Sequence, residues 1–155
     1  MADAVNRRQI LVRSLAAVVA AEFVPGAARA TPQAMQEAIR AIVGESVPQH
    51  GRITLDVPPL VENGNVVPLT VSVESPMTDG DHVTAIHVVN EKNPPPHVVS
   101  VKLGPRAGRA RLSTRIKLAD SQQVTALAEM SDGSLWTESA DVVVTLAACV
   151  EDLVR

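Results

Sequence analysis

The stretch Val67-Pro68-Leu69-Thr70-Val71-Ser72-Val73-Glu74 decides the fold class. Its apolar residues occupy positions 67, 69, 71 and 73, and polar residues or a proline stand between them. Successive side chains of a strand point to opposite faces of a sheet, so this period of two predicts a strand with one buried face. The same alternation occurs earlier at Ile53, Leu55 and Val57, and it stops at Pro58-Pro59.

Strand-like segments continue from here to the C-terminal region. We predict seven strands, at residues 53–57, 67–73, 83–89, 98–103, 110–118, 124–130 and 141–146. Turn residues separate them, including Glu62-Asn63-Gly64-Asn65 and a predicted tight hairpin at Ser131-Asp132-Gly133-Ser134. Short strands spaced in this way are typical of an all-β, antiparallel sandwich.

One short helix is predicted before the strands. Thr31 can cap its start, and Pro32 suits the first helical position because its missing N–H would be unpaired there anyway. Gly44 can end it in a left-handed conformation. The apolar positions with helical spacing are Met35, Ala38, Ile39, Ile42 and Val43.

The run Asn93-Pro94-Pro95-Pro96 is the most proline-rich part of the chain. Each proline fixes its own φ and restricts the residue before it, which predicts an extended, polyproline-like connection. We interpret this connection as a crossover between the two sheets rather than a docking motif.

The first thirty residues have the pattern of an export signal. A basic start with twin arginines, Asn6-Arg7-Arg8-Gln9-Ile10-Leu11, precedes an apolar run at 15–21 and the small-residue site Ala28-Arg29-Ala30. The apolar run is too short to span a membrane, and no later stretch approaches the required length. We therefore expect residues 1–30 to be a twin-arginine signal peptide. The mature part, 31–155, is then one soluble periplasmic domain.

Composition excludes some classes of partner. The chain has a net charge of −3, and removal of the arginine-rich first thirty residues makes the remainder more acidic, which argues against nucleic acid. Tyrosine is absent, and the single phenylalanine, Phe23, lies in the predicted signal. Trp136 is then the one aromatic residue of the mature chain. We interpret it as a core residue rather than an interface residue.

A cluster of basic residues stands out against this acidic background. Arg111, Arg115 and Lys117 are predicted to share the polar face of one strand. One interpretation is a solvated face that protects a sheet edge; the other is a docking surface for an acidic partner. The full cluster comprises Lys102, Arg106, Arg109, Arg111, Arg115 and Lys117.

The sequence contains few motifs that suit catalysis or the binding of a metal or phosphate. The four histidines have no spacing that predicts a metal site, no glycine loop suits a phosphate, and we expect neither a cofactor nor an enzyme. His87, between Ile86 and Val88, is expected to be a partly buried strand residue. The single cysteine, Cys149, lies near the C-terminus, where it is either a small buried hydrophobe or a reactive thiol on an arm.

Several separated strings of the chain form a recognisable set. They are Glu62-Asn63-Gly64-Asn65 to Pro68, Ser75-Pro76-Met77, Glu91-Lys92-Asn93-Pro94, Gly108-Arg109-Ala110, Ser113-Thr114-Arg115-Ile116 and Ala128-Glu129-Met130-Ser131-Asp132-Gly133. In this order they resemble the SoxY family, the sulfur-carrier subunits of the thiosulfate-oxidising Sox system. The similarity extends over nearly all of residues 31–149.

The resemblance implies an immunoglobulin-like sandwich that pairs with a second sandwich, SoxZ, in the periplasm. It also implies covalent attachment of sulfur to a C-terminal cysteine, a role that falls on Cys149 by position. Partner enzymes of that system attach thiosulfate at a haem site, release sulfate at a manganese site and oxidise the remaining sulfur. The carrier itself is then not a catalyst.

The predicted arm, residues 147–155, departs from the usual Gly-Gly-Cys-Gly ending of the family. It reads Ala147-Ala148-Cys149-Val150-Glu151 and resembles a SoxY-related subgroup with an Ala-Ala-Cys-Ile-Glu arm. Alanine has less backbone freedom than glycine, so the cargo and the partner enzymes stay open. One alternative is a non-carrier accessory subunit whose cysteine is buried or in an intermolecular disulfide. The other is a metallochaperone that combines Cys149 with Met or His ligands.

Overall fold

The computed structural model describes residues 31–147. It contains one α-helix and eight strands, with a short 3-10 helix at Pro105–Ala107. The elements are α1 (Pro32–Val43), β1 (Ile53–Asp56), β2 (Leu60–Asn63), β3 (Val67–Val73), β4 (Val83–Asn90), β5 (His97–Lys102), β6 (Arg111–Ile116), β7 (Gln122–Met130) and β8 (Leu135–Leu146).

The strands form two sheets that pack face to face. The smaller sheet has the order β1-β3-β6 and the larger the order β2-β8-β7-β4-β5. The alternating residues of β3 enter the core as the sequence predicts, with Val67, Leu69 and Val71 no more than 1% exposed. They pack with inner residues of the larger sheet such as Ile86 and Ala126. The predicted immunoglobulin-like sandwich is confirmed.

The first helix is also confirmed, with both predicted caps. The Thr31 side chain accepts a hydrogen bond from the Ala34 N–H at 3.2 Å. Gly44 follows the helix with φ 63°, and its N–H donates to the Arg40 carbonyl at 2.8 Å. Helix α1 contacts β4 and buries Met35 and Val43.

Prolines end the pairing between β1 and β3. The last paired residues are Asp56 and Thr70. Continued in the same register, the ladder would set Pro58 opposite Pro68, and neither residue has an N–H to donate. The smaller sheet is therefore short on this side.

Three strand predictions need correction. The structure has eight strands rather than seven, because β2 was not predicted, and β2 pairs with β8 in parallel rather than antiparallel. The last strand begins at Leu135 rather than Asp141. The strand predicted at 110–118 ends at Ile116, since the Lys117 carbonyl accepts from Asn93 Nδ2 at 2.8 Å and the Leu118 N–H donates to Gly64.

The proline run is not a crossover between sheets, so that prediction was wrong. It joins β4 to β5, which are antiparallel neighbours in the larger sheet, and the Pro94–Pro95 bond is cis. Asn90 at the end of β4 donates its N–H to the Pro96 carbonyl at 2.8 Å. The predicted hairpin at Ser131–Ser134 is confirmed, with the Met130 N–H donating to the Ser134 carbonyl at 2.9 Å.

Candidate functional site

The predicted arm begins where β8 ends. Leu146 is the last residue of the strand, and Ala147, the first arm residue, is exposed. Ala148, Cys149, Val150 and Glu151 lie outside the described residues, and so does the predicted signal peptide. What the structure does define is the surface from which the arm departs.

Strand β8 is bonded up to its last residue on the β2 side and up to Val144 on the other side. Its neighbour β2 pairs Val61 with Val144, and the Gly64 N–H donates to the Leu146 carbonyl at 2.8 Å. On the other side, the Val144 N–H donates to Ser121 Oγ at 2.9 Å. The arm therefore leaves from a fixed point, because the last strand residues are bonded in place.

Four large apolar side chains of β2, β8 and the turn between β2 and β3 are exposed. Leu60 and Val143 are cross-strand neighbours, 62% and 52% exposed, and Leu146 is 68% exposed. Val66, 55% exposed, follows the turn at Asn63, whose carbonyl lies 3.5 Å from the Val66 N–H. We call Leu60, Val66, Val143 and Leu146 the arm-base patch. Leu60 and Val143 are paired across β2 and β8, and exposed apolar residues so close to the start of the arm are candidates for contact with a partner.

The start of β8 is packed very differently. Trp136 is partly buried against the core, as the sequence predicts, and the Arg52 guanidinium lies 4.9 Å above the centre of its ring. Trp136 Nε1 donates to Ser134 Oγ at 3.2 Å. Gln49 adds two backbone hydrogen bonds, to Leu135 and Thr137, both at 2.8 Å.

The basic residues proposed for docking lie at the edge of the smaller sheet. Arg111 and Arg115 are exposed on β6, which in the described part of the chain pairs only with β3. Lys117 continues the alternation but lies beyond the strand, so the prediction that all three share one strand is corrected. Within residues 31–147 the ion pairs are His87–Glu129 and Lys92–Asp120, and neither involves the basic cluster.

A histidine network was not foreseen from the sequence. His87 is partly buried as predicted, but its Nε2 lies 3.1 Å from Glu129 Oε1 and its Nδ1 contacts Ser100 Oγ. His97 Nε2 also contacts Ser100 Oγ, at 2.6 Å. The residues come from three strands, so local spacing carries no signal for this network. Among residues 31–147 no group of three or more His, Cys, Asp or Glu side chains could hold a metal ion.

Comparisons with known proteins agree with this architecture. The family model described as "Sulfur oxidation protein SoxY" matches residues 39–149. The solved sulfur carrier protein SoxY from Chlorobium limicola is similar with 28% identity and a TM-score of 0.60, covering 74% of this chain and 98% of that protein. The search of curated proteins gave no significant match.

A superoxide reductase (neelaredoxin) from Ignicoccus hospitalis is similar in fold alone. It has 17% identity and a TM-score of 0.55, covering 61% of this chain and 80% of that protein. The described part of the chain contains no helix with the length and apolar character of a membrane span. With the family match over most of its length, this chain belongs to the SoxY family of sulfur oxidation proteins.

Proposed function

We propose that this protein is an exported covalent sulfur carrier that holds sulfur intermediates on Cys149 and presents them to partner enzymes. The observation that carries the proposal is the family match, whose range ends at Cys149, the only cysteine of the chain. The similar Chlorobium protein is itself described as a sulfur carrier. The firmly held end of β8, three residues before Cys149, supports a role as the base of a presenting arm.

The loading step joins the cysteine sulfur to thiosulfate. Only the thiolate is nucleophilic, so the Cys149 thiol first loses its proton to solvent. A new S–S bond then forms between its sulfur and the terminal sulfur of thiosulfate, giving a cysteine S-thiosulfonate. Two electrons leave in this step, and an oxidising partner enzyme accepts them. The carrier supplies the sulfur atom and its position, while the partner supplies the oxidant.

Release of sulfate needs no further oxidant. Water attacks the terminal sulfonate sulfur, the S–S bond to it breaks, and the products are sulfate, two protons and a persulfide on Cys149. Partner enzymes oxidise the outer sulfur of this persulfide in later steps and regenerate the thiol. The sulfur is cargo, and we expect no resident metal or cofactor on the carrier.

The short distance along the chain from β8 to Cys149 limits how a partner can approach. Two residues, Ala147 and Ala148, lie between Leu146 and Cys149, so the two Cα atoms are at most about 11 Å apart. A partner that receives the thiol in a cavity must therefore come close to the end of β8. The arm-base patch then lies in the interface, where burial of its apolar side chains favours association. This constraint holds for whichever enzyme takes the arm.

Export and pairing complete the proposal. Residues 1–30 carry the twin-arginine pattern, which supports delivery to the periplasm. Membership of the SoxY family supports a stable partner of the SoxZ type and enzymes of the Sox type. The arm Ala147-Ala148-Cys149-Val150-Glu151 adds side chains on both sides of the cysteine, which restricts the tunnels that can admit it.

Intact mass spectrometry tests the carrier role directly. The protein is purified without reductant from cells grown on thiosulfate, measured before and after reduction, and mapped by peptides around Cys149. We expect added sulfur or thiosulfonate mass on Cys149 that reductant removes, and no such mass on Cys149→Ser. An unmodified thiol, or an intermolecular disulfide at Cys149, would instead support the non-carrier accessory subunit. Bound metal that depends on Cys149 would support the metallochaperone.

A further inference from the structure

We propose that the free edge of β6 is a strand-addition site for an extended, acidic segment of a partner protein. Within residues 31–147, strand β6 is the last strand of the smaller sheet and is bonded to β3 on one side only. The proposal goes beyond the carrier role, because it depends on this edge and not on the Cys149 thiol.

The backbone of β6 divides into an occupied side and a free side. In an antiparallel pair, hydrogen-bonded residues alternate with residues whose N–H and C=O groups point away. The Val73 N–H donates to the Ala110 carbonyl at 2.9 Å, so the bonded positions opposite β3 are 110, 112, 114 and 116. Ser113 and Arg115 therefore direct their N–H and C=O groups to the free side.

This free edge has defined ends. The Arg111 N–H is already occupied, since it lies 3.1 Å from the Arg109 carbonyl. The Lys117 carbonyl accepts from Asn93 Nδ2 at 2.8 Å. The stretch from the Arg111 carbonyl to Arg115 remains for an added strand of about five residues. Such unpaired edges are the surfaces that accept peptides by β-augmentation.

Charge decides which segment fits. Arg111, Ser113 and Arg115 are exposed on the same face of β6, and their neighbours on β3 are Ser72, Thr70 and Pro68, none of them acidic. No acidic residue occurs anywhere in residues 102–117. The two arginines thus have no carboxylate partner among the described residues, and an acidic strand would supply one to each.

A second copy of this chain is a poor occupant. Antiparallel pairing of two β6 edges centred on Ser113 would set Arg111 of one copy opposite Arg115 of the other. Like charges directly opposite each other destabilise a strand pair. The same arginines that prevent self-association therefore select an acidic partner. Acidic residues at positions i and i+4 of the added strand would lie opposite Arg111 and Arg115.

The test uses a defined probe, an eight-residue peptide of alternating Val and Glu, with a matched peptide of alternating Val and Lys. The full-length protein is titrated with each peptide at low and moderate salt. Calorimetry measures the binding, and amide hydrogen exchange shows which backbone groups become protected. We expect the Glu peptide to bind, to slow exchange at the Ser113 and Arg115 amides, and to weaken with salt. Absence of binding, or binding without this protection, would overturn the proposal.

Variants separate strand addition from charge attraction alone. Ser113→Pro removes an N–H that faces the free side, so the bonds to β3 are retained, and we expect peptide binding to be lost. Ser113→Ala keeps that N–H and should bind within about twofold of wild type. Arg111→Glu with Arg115→Glu should weaken binding by about tenfold or more. Unchanged binding by folded Ser113→Pro would overturn the strand-addition mode. If that variant fails to fold, the exchange data on the wild-type protein decide.

Discussion

Strands β8 and β6 carry the two candidate surfaces of this protein, and they are built in opposite ways. Strand β8 is twelve residues long, has neighbours on both sides and ends at the arm. Strand β6 has six residues, one neighbour and a free edge. A carrier arm needs a fixed base, which two neighbours provide, whereas a docking edge needs unoccupied backbone groups.

The chemistry of the two surfaces differs as well. The arm-base patch is apolar, so its contacts depend on buried area and respond little to salt. The β6 edge carries arginines without acidic neighbours, so its contacts are expected to weaken as ionic strength rises. A protein with several partners can in this way bind an enzyme at the arm-base patch and an extended segment of another protein at the β6 edge.

The largest expected effect tests the anchoring of β8 at its start. Trp136→Ala removes the one aromatic side chain of residues 31–147, with its contact to Arg52 and its bond to Ser134. Because the ring is only partly buried, we expect a loss of about 2–3 kcal/mol in the free energy of unfolding. Urea unfolding followed by circular dichroism measures it. Trp136→Phe should lose less than half as much, and an equal loss in both variants would contradict the role given to the indole.

The second prediction concerns the end of β6. Asn93 Nδ2 donates to the Lys117 carbonyl, and its Oδ1 accepts from the Ala119 N–H at 3.0 Å and from Gln122 Nε2 at 2.7 Å. Loss of these three bonds in Asn93→Ala should cost about 2 kcal/mol in the free energy of unfolding.

Asn65→Ala is the matched control for Asn93→Ala, because the Asn65 side chain makes no hydrogen bond within the described residues. The same urea experiment compares the two variants. An equal effect at both positions would mean that the loop between β4 and β5 does not hold the end of β6.

The parts of the fold predicted from sequence are those with a local pattern. The alternation of Val67 to Val73 and the caps at Thr31 and Gly44 are short-range features, and each is where it was expected. Strand β2 has only four residues between a proline pair and a turn, and it pairs with residues more than eighty positions away. No local pattern encodes such a partner.

The same reasoning explains the remaining errors. The first half of β8 contains Thr137, Glu138 and Ser139, which lack apolar alternation, and it becomes a strand because β7 pairs along it. The end of β6 depends on Asn93, a residue from another loop. For the candidate site, the sequence identifies Cys149 and the arginines. It does not predict the arm-base patch, because Leu60 and Val143 come together from strands that are distant in sequence.

The third prediction tests the arm-base patch. Leu146→Asp places a charge on an exposed position, so the fold should tolerate it, but the proposed loading of thiosulfate onto Cys149 by a partner enzyme should slow by about tenfold. Time-resolved mass spectrometry measures the rate. Val47→Asp is the control, since Val47 is 86% exposed and lies just before Gln49, which pairs at the opposite end of β8. Equal slowing in both variants would argue against the patch as the contact surface.

The smallest expected effect compares two acidic groups, one near each strand. The pKa of Asp132 lies below its usual 3.8 because the hydroxyl and then the N–H of Ser134 bond to it, beside Trp136 at the start of β8. The pKa of Asp120 lies below 3.8 chiefly because Lys92 bonds to it, in the turn after β6. A lowered pKa in the folded state adds stability that is present above pH about 4 and is lost as pH falls further.

Salt should separate these two contributions. Asp120 depends on an exposed charge pair, so its contribution to acid sensitivity should shrink between about 0.05 M and 0.5 M NaCl. The Asp132 contribution comes mainly from a neutral hydroxyl and should persist. Unfolding of Asp120→Asn and Asp132→Asn, followed from pH 6 to about pH 2.5 at both salt concentrations, measures this difference. A salt response of equal size in the two variants would mean that charge, rather than hydrogen bonding, lowers the pKa of Asp132.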